Sequence, residues 1–309
     1  MKKILLVVEP DTTKEALTKA KIIASRLGGD LYVLNVLHDP KVVMGHLFNA
    51  EQRESVIANL VRQRTEAVHE LLTEVWGETL PWECHVVWAR PIHRAILEHA
   101  RIQDVQLIIK PTSEHAFLER VLFTHVDWHL IRGADRLVLF LKNQAWGSAM
   151  HVMAAIDPVH PESSIDLQLP VKDISPKILQ AAHTLACQLP AEISAVHIFD
   201  PVPSGLMMEL DAIVADYEQF KLSAQRKHRE SFEQALQHDL EKTVHSHFIE
   251  GEPVTTLPDV VINESVDIMV MGAVAHSSFD SPFIGSTAEA VLDRLNCDLL
   301  IVHSGDQRD

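Results

Sequence analysis

Val266-Asp267-Ile268-Met269-Val270-Met271-Gly272-Ala273-Val274-Ala275 opens the stretch that decides the fold. It continues through nine residues, His276 to Ile284, into Gly285-Ser286-Thr287 and ends on Leu299-Leu300-Ile301-Val302. The first six residues read as a buried strand. Ala288, Val291, Leu292 and Leu295 recur at helical spacing, and Leu299 to Val302 form a second apolar strand. The order is strand, glycine-bearing loop, helix, strand. Glycine lets a ligand approach the backbone, the free N–H groups of a helix start attract anions, and Ser286 or Thr287 can cap that helix.

The rest of the chain repeats this unit. Residues 4–8 run into Glu9-Pro10, and residues 152–156 run into Asp157-Pro158, an offset of 148 (157 − 9). Helix-period segments follow at about 13–27 and 175–189, then strands at Leu31–Leu37 and Ile193–Phe199. Long helices are expected over 50–76 and 210–241, with third strands at Glu83–Trp88 and Thr243–Ile249. Pro91 and Pro253 open short helices. Fourth strands at Val105–Ile109 and Val266–Met271 and fifth strands at Leu137–Leu141 and Leu299–Val302 complete the copies. Late in the copies Lys110 aligns with Gly272 and Thr124 with Ser286, an offset of 162 (272 − 110). A first domain over 1–142, a linker over 143–150 and a second domain over 151–309 result. Alternating strands and helices predict two α/β domains with parallel sheets, and ligands in such sheets sit beyond the C-terminal strand ends.

The spacing Gly272-x-x-Ala275, nine residues, Gly285-Ser286 resembles the loop of the universal stress protein family. With the repeat, Val86-Val87-Trp88, the run Phe123 to Arg132 and Lys142 to Trp146, nearly the whole chain resembles the E-type tandem branch of that family. The resemblance implies two Rossmann-like domains with strand order 3-2-1-4-5, helices on both faces and pairing about a pseudo-twofold axis. It also implies a pocket for ATP or a related nucleotide, with Mg when ATP binds. Gly272, Ala275, Gly285, Ser286 and Thr287 would cradle phosphate, with His276 beside it. Asp157 and Pro158 would meet the nucleoside end, and Val196 to Ile198, principally Val196 and Ile198, would lie beside the base. Ala275 departs from the ATP-binding pattern, which has glycine there. In the first copy Lys110, Ser113 and Phe123 stand at the loop positions, so that copy is expected to be a scaffold or to bind something other than a nucleoside triphosphate. Each position also has a plainer reading: a structural turn, a capping carboxylate at Asp157, Glu9 or Asp11, and sheet core at 196–198.

Composition narrows the classes. A net charge of −16 argues against broad binding to nucleic acid or anionic membranes, and no run approaches a membrane span. The N-terminus reads as a first strand, not a signal peptide. Cys84, Cys187 and Cys297 form neither a disulfide framework nor a zinc cluster, which points to the cytoplasm. Among nineteen histidines, His125/His129 and His245/His247 could each supply two metal ligands, but no third is identifiable, so no metal is expected. No nucleophile elbow or Walker A pattern is present, so no catalytic residue is assigned. Leu206, Met207 and Met208 in the long second-copy loop can be read as an apolar lid or as a loop packing its own side chains. The expectation is a non-enzymic stress or signalling module with a nucleotide pocket in the second copy, able to self-associate or meet a protein partner. A binding protein for an amphipathic small molecule and a slow ATPase are the alternatives.

Overall fold

The computed structural model describes residues 3–44, 49–77, 82–112, 123–158, 173–200, 217–237, 244–273 and 290–303. The chain divides into two compact units, Met1–Ala145 and Trp146–Asp309. In the first, β1 (Lys3–Val7), β2 (Asp30–Leu37), β3 (Trp82–Trp88), β4 (Leu107–Pro111) and β5 (Leu137–Leu141) lie in the order β3-β2-β1-β4-β5. Every pairing is parallel. Five helices accompany them: α1 (Lys14–Leu27), α2 (Pro40–Met44), α3 (Ala50–Trp76), α4 (Ile92–Ile102) and α5 (His125–Gly133). The second unit repeats the order with β6 (His151–Ala155), β7 (Glu192–Phe199), β8 (His245–Glu250), β9 (Ile268–Ala273) and β10 (Asp298–His303), as β8-β7-β6-β9-β10. Its described helices are α6 (Ser175–Gln188), α7 (Tyr217–Leu236) and α8 (Pro253–Asn263).

The elements follow from local chemistry. The central strands are continuous apolar runs because helices cover both faces; Ile4, Leu5 and Leu6 are wholly buried. Thr13 caps α1 by accepting the Ala16 N–H, and Gly28 ends it in the left-handed conformation at φ 62°. Asn49 and Gln52 form a reciprocal capping box at the start of α3. Pro253 is the first residue of α8, and Pro91 is the N-cap of α4. The short α2 was not anticipated; Asp39 accepts the Lys41 N–H at its start. Trp146 and Gly147, expected in the linker, are tied to the second unit. The Trp146 indole donates to Asp298 at 2.7 Å, and Gly147 N–H donates to Asp267 at 2.7 Å.

One alignment between the copies is corrected by the sheet register. Val8 N–H donates to Leu34 O as Ile156 N–H donates to Val196 O, so the early offset of 148 holds. Leu6 then stands opposite Ile109, and its equivalent Ala154 stands opposite Val270. The offset at the fourth strand is therefore 161 (270 − 109), not 162. Strand five agrees: Leu107 pairs with Leu137, and Ile268 with Asp298. The buried helix positions Leu130, Ile131 and Ala134 match Val291, Leu292 and Leu295 at the same offset. Lys110 thus corresponds to Met271, and Pro111 to Gly272. Carried through the sequence, the offset sets Thr124, not Phe123, against Gly285. One residue matters because it exchanges the two faces of a strand. Apolar character in these continuous runs does not alternate, so the pattern alone left the register free.

Candidate functional site

In a doubly wound sheet the crevice opens where strand order reverses, here between the first and fourth strands of each unit. The two units treat it in opposite ways. In the first, Lys110 near the end of β4 is fully buried, and its Nζ lies 2.7 Å from Glu9 Oε2 and 2.9 Å from Asp127 Oδ1. Glu9 lies two residues past the end of β1, and Asp127 is the third residue of α5. Asp127 Oδ2 also accepts the Thr124 N–H at 2.7 Å, which closes a capping box. Burial alone would push the Lys110 pKa down. Asp127 first, then Glu9, outweigh it and hold the ammonium above its ordinary range. The crevice is occupied by the chain's own cation.

The corresponding positions in the second unit are Asp157, Met271 and Ala288. Only the first keeps a charge. The Asp157 side chain is 63% exposed, and Met271 and Gly272 are half-buried, whereas all five residues of β4 are buried. Gly272 also has a packing role. A Cβ there would lie 2.2 Å from Ile174 Cδ1 and 3.0 Å from Ile178 Cδ1, so this glycine lets the start of α6 rest against β9. Val196 is buried and pairs with Ala155, whereas Ile198 is half-buried and pairs with Ile249 at the outer side of β7. Pro158 directly follows Asp157 and is half-buried. Ala275, His276, Gly285, Ser286, Thr287, Leu206, Met207 and Met208 lie outside the described residues.

Two histidines meet beside Asp157: His197, within the 196–198 run expected beside the base, and His228, which the sequence analysis does not single out. His197, between Val196 and Ile198, is buried and its Nδ1 lies 3.0 Å from Ile156 O. Nδ1 therefore carries the proton and donates, which leaves Nε2 to accept from His228 Nδ1 at 2.9 Å. Asp157 Oδ1 is 3.8 Å from His197 Nδ1. Phe232 and Phe248 flank the imidazole, each with its ring centroid 5.8 Å away. Asn35 fills the same position in the first unit and donates to Val8 O. The available signal was that pair: a polar residue at one register of both second strands.

The other described histidines do not build a metal site. His125 Nε2 and His129 Nε2 are 3.0 Å apart, and His247 faces Glu264 at 3.8 Å. Among the described residues no group of three His, Cys, Asp or Glu side chains is arranged to hold a metal. Burial raises the Cys84 thiol to about 11, so it is protonated and inert at neutral pH. No described helix is long and apolar enough to cross a membrane.

The universal stress protein family model matches residues 1–142 and 171–303. The chain belongs to the universal stress protein family. It carries two universal stress protein domains in tandem, and its family is one of stress response. Universal stress protein E of Escherichia coli K12 is 27% identical over 314 residues, covering 97% of this chain and 93% of that protein. The homologue from Haemophilus influenzae is 23% identical over 305 residues, covering 97% and 96%. A functionally unknown protein from Pseudomonas aeruginosa has the same fold at a TM-score of 0.64 and 21% identity, covering 98% of this chain and 92% of its own. A universal stress protein from Archaeoglobus fulgidus does so at 0.63 and 13% identity, covering 98% of each chain.

Within the second universal stress protein domain the histidine pair makes stability depend on pH. Burial lowers the pKa of both His197 and His228; the His197 charge lowers His228 further, and Asp157 opposes the shift in each. Well above the unfolded value of about 6.5 both rings are neutral, folded or unfolded, and contribute no slope. As pH falls below that value the unfolded chain takes up the protons first, so stability falls toward the lowered folded values. Urea titrations between pH 7.5 and 5 are expected to show this loss, reduced in His197→Asn, which copies Asn35.

Proposed function

We propose that this protein is a non-enzymic cytoplasmic stress or signalling module whose nucleotide-binding capacity resides in the second domain. ATP or a related nucleotide, with Mg when it is ATP, would be the ligand. The observation that carries the reading is the contrast at the two switch points. Lys110 bridges Glu9 and Asp127 inside the first crevice, while the second has an exposed Asp157 and no lysine at the matching register. A carboxylate left exposed at a crevice mouth is available to accept hydrogen bonds from ribose hydroxyls. The Gly285-Ser286-Thr287 stretch at the predicted helix start supplies the phosphate end. Three free cysteines suit a reducing compartment.

ATP with Mg is expected to raise the melting temperature of the full chain. At a hundredfold excess over Kd the gain corresponds to about 2.7 kcal/mol. Gly285→Phe should abolish the shift without lowering the melting temperature of the unliganded protein. Stabilisation that survives Gly285→Phe would place the nucleotide elsewhere and defeat the proposal.

A further inference from the structure

The corner where the second and third strands end beneath the long helix also differs between the units. In the second unit rings fill it. Phe232 of α7 meets Phe248 of β8, His228 of α7 stacks on His197 with the Phe199 ring 4.6 Å away, and Arg229 lies 4.3 Å over Phe248. In the first unit the matching corner is an open cleft of about 300 Å³, bounded by the ends of β2 and β3 and by α3. Trp88 closes β3 at the register that Glu250 holds in β8. Its indole and the His38 imidazole are 5.9 Å apart at 35°. The opposite wall is a stripe of α3, Leu60, Arg64 and Ala67 at i, i+4 and i+7, with Gln63 beside it.

Charge selects the occupant. Arg62 is paired with Glu66 and Asn59, but Arg64, on the cleft side, has no ion pair or hydrogen bond among the described residues. Gln63 and His38 likewise have no hydrogen-bond partner among them. Asp39, at the rim, keeps its carboxylate charge and accepts the Lys41 N–H at 2.8 Å on one oxygen. The cation at the cleft is a guanidinium, a fork that matches a carboxylate. Apolar walls, two flat rings and a few convergent polar groups have the character of a small-molecule site, at the small end of the usual size range.

We propose that this cleft binds a small planar aromatic carboxylate, with its ring between Trp88 and the Leu60–Ala67 wall and its carboxylate on Arg64. The site lies in the first unit, away from either switch point, and stands independently of the nucleotide reading. Isothermal titration of the full chain with 2-naphthoate tests it, with 2-naphthamide as the neutral twin. One naphthoate per chain is expected, with the amide bound about tenfold more weakly. Arg64→Gln should weaken naphthoate by a similar factor, the worth of one charge-assisted hydrogen bond. Ala67→Trp, at an exposed position, should fill the cleft and abolish binding with an unchanged melting temperature. Saturating ATP should leave the isotherm unaltered. No saturable heat, equal affinity for acid and amide, undiminished binding in Ala67→Trp, or displacement by ATP would each overturn the assignment.

Discussion

Lys110→Met is expected to cost the first domain about 3–5 kcal/mol, the range for breaking a buried ion pair from one side. The side chains are close in size, so packing changes little. What changes is charge. Asp127 has no solvent access, and the Glu9 side chain is 22% exposed, so removing the ammonium leaves two carboxylates facing each other with little water to screen them. Urea unfolding of the full chain followed by tryptophan fluorescence reads the effect. Trp76, Trp82, Trp88 and Trp128 report on the first unit, and Trp146 begins the second. The transition assigned to the first unit should move to lower urea while the other stays. Adding Asp127→Asn and Glu9→Gln should return most of the loss, because the cost is unpaired charge and not a missing contact. If Lys110→Met alone is neutral, the triad is not what closes this crevice.

The second large effect is expected at Trp76→Ala, at about 3–5 kcal/mol. Helix α3 is long, but only Val68, Leu72 and Trp76 of its residues are buried. Trp76 is 1% exposed, and its Nε1–H donates to Leu17 O at 2.8 Å, joining α3 to α1. Lys21 Nζ returns a bond to Trp76 O at 3.1 Å. The substitution removes the last anchor of α3 and opens a void that the sheet beneath cannot collapse into. Trp76→Phe keeps most of the apolar contact but loses the indole donor, so a cost of about 1–2 kcal/mol is expected. A fall in the urea midpoint of the first unit, in the order Ala then Phe, is the outcome that supports this account. Equal effects would mean the hydrogen bond, not the buried volume, carries the anchor.

Much of the fold was legible in the sequence because apolar runs and helix stripes recur in one order in both halves. The long helix expected over 50–76 is α3 to the residue, and the strands fall within two residues of expectation at either end. What the pattern could not give was register. Leu107, Ile108 and Ile109 are apolar throughout, so counting residues set Lys110 against Gly272, and only the ladder moves it to Met271. The triad was also hidden, since Glu9, Lys110 and Asp127 are far apart in sequence. A lysine inside an otherwise apolar strand was the signal: buried ammonium requires carboxylates, and the crevice between strands one and four is where they could come from. Gly272 was read as an approach for ligand; its near side meets Ile174 and Ile178, a helix contact no spacing rule reveals. Asp157, by contrast, was legible because it follows its strand as Glu9 follows β1.

Native mass spectrometry of the full chain titrated with ATP and Mg tests the contrast between a first crevice held shut by Lys110 and a second with an exposed Asp157. A single nucleotide per chain is expected, retained in Lys110→Met and lost in Gly285→Phe. Two nucleotides per chain, or one that persists in Gly285→Phe, would contradict it.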